Sequence, residues 1–599
     1  MPRPVGRLPS LPGTDDQPSA SAAASTAADE VTTGHADEAP GEESSGEEPP
    51  SDQPSGEPPA ESQATTATRE EAEPRTGRRI PPVVWWVMAL HVTMLGAYSI
   101  LLPTFRAPDE PLHVDLAHHW STDFEYPAWD DRATGDGIIN SLFRVRFPGR
   151  SAHLTAQEAI PKDERPSFED LDTVSQGGTN HLPQHPPLYY AVAGTAERAV
   201  EVVAGDPDFH VETWFYRLVS IAMVAPLPIV IWRVSRLMGL PDPVAVGAML
   251  LPLAIPQYLH IGASVNNDNL QFLTTWLMTP LVLRVGRGDL SRGLMVVAGV
   301  VSGLGLLTKA FTFAIPMWMA CALVVVLVRQ GRAALPRVAG AGLLYGVVTV
   351  VAGGWWWIRN LVVYGSLMPT RYLDLVRPVP RDDLDIVDYM QKWITGTLRR
   401  FWGEFGYFDT RIPQLAVTIA TTVVVVTLLA ALIGRDRVTG SRLGDRLLLL
   451  APLVLLMAVQ FQSALTSYLE IGQYAALQGR YWFGAIAALA VLVALGAAKL
   501  VGPFRRWMPF GVLAAVVVMH GLAVSAILGF YWGEPGSPIS DRLRAVVAWA
   551  PLPSEVVVVA AAVGAVVVVL AVFEVGRMVV KSGHDAGADP QLEAATASS

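Results

Sequence analysis

Apolar runs of about 20 residues recur along the whole chain, and they constrain its fold more than any other feature. A bilayer core is about 30 Å thick and takes about 20 apolar residues per helix. Backbone polar groups in that medium must pair within the protein, so continuous runs of this length read as spanning helices. Candidate spans lie near 83–102, 214–232, 242–263, 269–283, 293–308, 311–328, 338–357, 414–433, 446–463, 481–498, 508–530 and 553–573. The expected fold class is an all-α polytopic membrane protein with about twelve transmembrane helices, and a mean hydropathy of +0.33 agrees. A further stretch, 187–204, is interrupted by Glu197, Arg198 and Glu201 on one helical face, so it is expected to lie in the interface.

Charge is unevenly distributed. Of the formal net charge of -11, residues 1–79 carry -10 and the other 520 residues only -1. The segment from Met1 to Arg79, rich in Ala, Ser, Thr, Pro, Gly and acids, cannot bury enough apolar surface to offset its chain entropy; it reads as a disordered tail, either a solvated extension or a regulatory arm. It lacks the apolar core of a signal peptide. A chain without a basic face excludes nucleic acid as a partner. Its single cysteine, Cys321, excludes internal disulfides and Cys-based zinc sites.

Basic residues in short loops mark the cytoplasmic side. Arg75, Arg78 and Arg79 precede the first span, and the clusters around Arg233, Arg284, Arg329, Arg442, Arg505 and Arg577 all fall inside when 187–204 does not cross. Both termini are then cytoplasmic. The organisation expected is a tail over 1–79, a membrane domain over 80–500 with outer loops 103–213 and 358–413, C-terminal spans over 501–581, and a second disordered tail over 582–599. No internal repeat is evident.

Polar chemistry gathers in the outer loops. Asp109 and Glu110 follow the first span and open LHVDLAHHW, an amphipathic helix. Asp109 reads either as an N-cap or as a carboxylate placed where a membrane helix meets water, able to take a proton from a hydroxyl. The loop ends in Asn180-His181-Leu182-Pro183-Gln184-His185-Pro186-Pro187, which suits either sugar or phosphate recognition or a surface turn. His113, His181, His185 and the acids have the chemistry of metal ligands, but their spacing is irregular; a divalent cation is left open and no cofactor is assigned.

Three more polar islands lie at the same level. Asn266-Asn267-Asp268-Asn269 reads as a turn or a site, and Lys309, alone in a long apolar stretch, either snorkels or has a buried partner. Arg359 follows three tryptophans. Later come Phe401-Trp402-Gly403-Glu404-Phe405-Gly406-Tyr407 and Gln478-Gly479-Arg480-Tyr481. Arg480 breaks the positive-inside pattern, and its planar fork suits a phosphate.

APDEPLHVDLAHHW, QHPPLYYAVAG, VNNDNLQFL, LLTKAF, FWGEFGYFDT and QGRYWF, in that order, resemble the bacterial membrane family "domain of unknown function 2142", which is grouped with the GT-C glycosyltransferases. The resemblance covers roughly residues 83–500. It implies a GT-C-like fold with interfacial helices in the first outer loop, a polyprenyl-phosphate sugar donor, and an envelope glycan or lipid acceptor. It also implies a catalytic acid in the first outer loop, matched by Asp109, a second acid in the next, matched by Asp268, and an acceptor-side loop at 358–413. Glu110 beside Asp109 leaves the choice of base between them, and the segment beyond about 500 matches nothing in the family.

The function expected is therefore an inverting glycosyltransferase of a bacterial plasma membrane, acting at the outer face. Asp109 or Glu110 serves as base, with Asp268. Arg480, Arg359 and Lys309 hold the donor phosphate, and His113, His181, Gln184, His185, Glu404 and Gln478 bind substrate. A transporter or flippase for a lipid-linked precursor is the alternative, although ionisable groups then belong near the midplane. A non-catalytic scaffold of a wall-synthesis complex is a third.

Overall fold

A computed structural model describes residues 80–129, 131–147, 153–173, 178–369, 384–434, 436–472 and 474–587. The expected tail over 1–79 lies outside the described residues, as does 588–599. All described residues from Pro82 onward form one unit.

Every span expected from the sequence falls on helical segments, some of them broken, from Pro82–Leu101 to Ser554–Gly587. Among the described residues eight helical runs are long and apolar enough to cross a membrane, or nine if one bent pair counts as a span. The expected twelve is thus not reached by this measure, for three reasons. Asp268–Gly286 opens with buried polar residues, Arg292–Leu306 is short, and the run Gly479–Tyr531 contains two α-helices, Ile486–Val501 and Met508–Tyr531. The bent pair turns by 73° between Asp242–Ala254 and Pro256–Gly262. Pro252 and Pro256 there lack the N–H that a continuous helix needs. The last helix exposes Val559, Val563, Val566, Val569 and Phe573, a surface suited to lipid. It also runs to Gly587, past the boundary at 581 expected from composition.

The loop after the first helix is ordered by helices Glu110–Asp123, Asp136–Arg144 and Leu188–Ala204. Leu188–Ala204 is not among the candidate spans and packs on Glu110–Asp123. Asp115 organises this loop: its buried carboxylate accepts from Arg132 at 2.7 and 3.0 Å, from Asn180 at 2.7 Å and from the Gly135 amide at 2.9 Å.

The C-terminal region closes over the same loop. Leu154 and Gly533 exchange backbone contacts with Tyr531 and Leu154 respectively, at 2.8 and 2.9 Å. Lys162 and Arg165 donate to carbonyls at the end of helix Ile539–Trp549 and just beyond it, Val547, Ala548, Ala550 and Leu552, in the manner of basic C-caps. Trp549 Nε1 donates to the Thr155 carbonyl and Trp532 Nε1 to that of Leu101, each at 2.8 Å.

Candidate active site

Arg480 sits at the centre of a buried charge cluster. Gly479 and Arg480 open a 3-10 helix, Gly479–Ala485, that leads into Ile486–Val501. A Cβ on Gly479 would lie 2.3 Å from the Phe401 amide nitrogen and 2.4 Å from the Thr397 carbonyl oxygen, so only glycine lets this turn press against helix Ile386–Trp402. Arg480 is thereby fixed between two carboxylates: Nη2 donates to Asp109 Oδ2 at 3.0 Å, and Nε lies 3.4 Å from Asp268 Oδ2. Its Nη1 has no hydrogen-bond partner among the described residues.

Asp268 begins helix Asp268–Gly286, and its amide donates to Asn266 Oδ1 at 2.8 Å. Lys309 Nζ donates to Asp268 Oδ1 at 2.7 Å and to Asn267 Oδ1 at 3.4 Å. Lys309 is therefore paired and buried rather than snorkelling. The remaining asparagine, Asn269, donates to the Ile261 and Ser264 carbonyls at 3.1 and 3.0 Å, which makes this segment a buried knot rather than a surface turn.

Asp109 adopts a left-handed backbone, φ 62° and ψ 7°, which costs a non-glycine residue about 1 kcal/mol. Two contacts hold it there: its amide donates to Tyr407 Oη at 3.1 Å, and its carbonyl accepts from the His113 amide at 3.1 Å. Its carboxylate makes no capping bond to the following helix and turns to Arg480 instead. At 19% exposure, against 0% for Asp268, it is the acid of the cluster that reaches outward.

Glu110 is occupied elsewhere. It receives Arg217 Nε at 2.8 Å, Arg217 Nη2 at 2.7 Å and the Val265 amide at 3.1 Å, all fully buried. Arg217 also donates to the Ser99, Leu102 and Pro103 carbonyls, tying the end of the first helix to the turn before Asp268. Arg217 is not among the residues expected above, although a lone arginine in an apolar run is a signal in itself.

The histidines form a wall beside the cluster. His113 Nδ1 pairs with Tyr190 Oη at 2.9 Å, and the two rings stack. Burial, reinforced by the nearby Lys309 charge, holds His113 and His185 well below the usual imidazole range; burial also lowers His181 despite the pull of Asp109. Gln184 is buried in the 3-10 turn Leu182–Gln184 between them. Tyr126 donates to the His185 carbonyl at 2.8 Å and links Tyr190 to Trp356 through ring contacts.

Three expected residues stand apart from the cluster. Arg359 lies behind the aromatic wall, bonded to Asn360 Oδ1 at 3.0 Å and placed over Trp356 and Tyr364. Glu404 pairs with Arg400 at 2.9 Å where a small hairpin begins, and that hairpin carries Tyr407 to Asp109. The Gln478 carbonyl accepts from Gln460 Nε2 at 3.2 Å. Among the described residues no three His, Cys, Asp or Glu side chains converge as a metal site. Asp109 and Asp268 are instead neutralised by Arg480 and Lys309.

Fold and site together define an all-helical polytopic membrane protein with an Asp–Arg–Asp–Lys cluster where its helices end. The chain belongs to the DUF2142 family, described as predicted membrane protein, whose profile matches residues 92–493. No curated protein matches the sequence. Among solved structures the chain is similar to ArnT from Cupriavidus metallidurans bound to undecaprenyl phosphate, with 14% identity over 79% of this chain and 77% of that one, at a TM-score of 0.40. It is also similar to the Archaeoglobus fulgidus oligosaccharyltransferase in complex with zinc and sulfate, with 11% identity over 75% and 54% of the two chains and a TM-score of 0.36.

Proposed function

We propose that this protein is a membrane glycosyltransferase that moves a sugar from a polyprenyl-phosphate donor to an envelope glycan or lipid acceptor at the outer face of a bacterial plasma membrane. The observation that carries this reading is the order Asp109–Arg480–Asp268–Lys309, in which a fork with an unpaired Nη1 lies between an accessible acid and a buried one. A donor phosphate competes for Arg480 and frees the Asp109 carboxylate. The acceptor oxygen then attacks the anomeric carbon and passes its proton to Asp109. As the new C–O bond forms, the bond to phosphate breaks, and its electron pair leaves on an oxygen stabilised by Arg480 and Lys309. Attack opposite the leaving group inverts the anomeric centre. Asp268 positions both cations.

A cleft of about 670 Å³ supports a lipid-linked donor. Its walls are apolar throughout, from Leu251 and Ile255 to Val423, Val493 and Met519. Phe401, Trp402 and Ile486 line one part of it, within a few residues of Glu404 and Arg480, so an isoprenoid chain lying there would bring its phosphate toward Arg480. The test is reconstitution of the full chain in vesicles with polyprenyl-phosphate sugars and candidate acceptors. Glycosylated product supports the proposal; movement of the lipid without chemistry, or neither, overturns it.

A further inference from the structure

A second cavity lies at the other ends of the site's helices. Asp268 and Arg287 bracket the 19-residue helix Asp268–Gly286, a rise of about 28 Å, so the two sites lie about a bilayer core apart. The cavity encloses about 400 Å³ and is lined by Arg287, Arg329, Arg442 and Asp445, with the loop around Thr439 and Ser441.

Its charges do not balance. Arg287 Nε and Nη2 approach Asp445 Oδ2 at 3.2 and 3.1 Å, and Arg329 Nη2 donates to Oδ1 at 2.9 Å, so two guanidiniums share one nearly buried carboxylate. Their Nη1 atoms donate to the Leu237 and Gly286 carbonyls at 2.7 Å, which fixes both forks in place. Arg442 lines the same cavity, exposed, and its guanidinium has no polar partner among the described residues. Among the lining side chains three cations face one anion, while Asp436 lies behind the Thr439 and Ser441 hydroxyls that donate to it. The surroundings are also shaped for this: a Cβ on Gly444 would lie 2.8 Å from Arg329 Nη2, so glycine allows that guanidinium to rest on the first turn of helix Leu443–Ile471. Topology alone requires only exposed basic residues, such as Arg332, Arg337, Arg505 and Arg506; it does not require convergence on a buried acid.

We infer that this cavity is an anion site for a phosphate group, separate from the candidate active site. Preset guanidinium forks with excess positive charge suit a phosphate oxyanion, and the position at a membrane face admits two sources, the headgroup of an anionic phospholipid or a soluble phosphate. The inference does not depend on the proposed transferase activity.

The experiment uses the full chain in detergent and reads binding of phosphatidylglycerol by native mass spectrometry, with phosphatidylcholine as the comparison, and binding of inorganic phosphate in a parallel arm. Selective retention of phosphatidylglycerol assigns a lipid headgroup, and retention of phosphate alone assigns a soluble ligand. In either case Arg442→Glu should weaken binding about tenfold or more, because it replaces a charge-assisted contact with repulsion. Arg332→Glu makes the same charge change outside the cavity and should leave binding intact. Gly444→Ala should weaken it by crowding Arg329 with no change of charge. No selective binding in either arm, or equal loss in Arg332→Glu and Arg442→Glu, would overturn the assignment.

Discussion

Arg480 Nη2 and Asp109 Oδ2 meet at 3.0 Å although 371 residues separate them in the chain. The contact joins the first interhelical loop to the entrance of helix Ile486–Val501, so it exists only when the membrane domain has closed.

Asp109→Asn should retain the backbone, because asparagine tolerates the left-handed conformation that Asp109 adopts. It removes the proposed base. Turnover with a polyprenyl-phosphate sugar should fall about 10²-fold or more, and because Arg480 keeps Asp268 as a charge partner the loss of stability should be smaller than for Glu110→Gln.

Glu110→Gln should behave in the opposite sense. Removing the charge leaves Arg217 buried beside a neutral amide, and breaking such a pair costs about 3–5 kcal/mol. Thermal or denaturant unfolding should show that loss. An unchanged stability with abolished turnover would instead move the base from Asp109 to Glu110.

Arg480→Lys keeps the charge but loses the fork. Donor affinity should drop, and Arg480→Ala should lose about 1.5–3 kcal/mol, the range for hydrogen bonds to charged groups, both measured as a shift in the donor concentration for half-maximal rate.

The pair His118–Glu212, at 2.8 Å, predicts alkaline lability. Burial works against a charged His118, but the Glu212 carboxylate outweighs it and raises the imidazole to about 9. A folded value above the ordinary 6.5 means that the stabilisation is complete below about pH 6.5 and is lost as pH rises through about 9, up to about 3 kcal/mol in all. The difference in stability between parent and His118→Gln, followed from pH 6 to 10, should therefore shrink across that window.

Gly479→Ala should damage Arg480 without touching it. The added methyl meets backbone atoms of Phe401 and Thr397 that cannot move independently, and overpacking of this kind costs about 1–3 kcal/mol. Activity should fall more than stability, because the displaced turn carries the guanidinium.

The helices are legible from the chain because a bilayer demands long apolar runs, and little else produces them. Lys309 and Arg480 stand out for a related reason: each is a charge where charge is expensive, so each implies a partner, and both prove to be paired with Asp268. Arg359 carries the same signal, yet its cation rests on Trp356 and Tyr364, a solution that residue type alone does not distinguish. Adjacent Asp109 and Glu110 look equivalent in sequence. The left-handed turn at Asp109 sends one toward Arg480 and the other toward Arg217, and that turn depends on Tyr407, far along the chain.

The bonds from Lys162, Arg165, Thr155 and Leu154 to residues 531–552 also bear on the order in which the molecule can be built. The loop that carries Asp109 leaves the ribosome early, but its anchors are synthesised nearly 400 residues later, beyond the stretch shared with the family. Until those last helices are present, the bonds that Lys162, Arg165, Thr155 and Leu154 make to them cannot form. The final seating of the Asp109 loop is therefore a late event, made only after residues 531–552 are available to bind it.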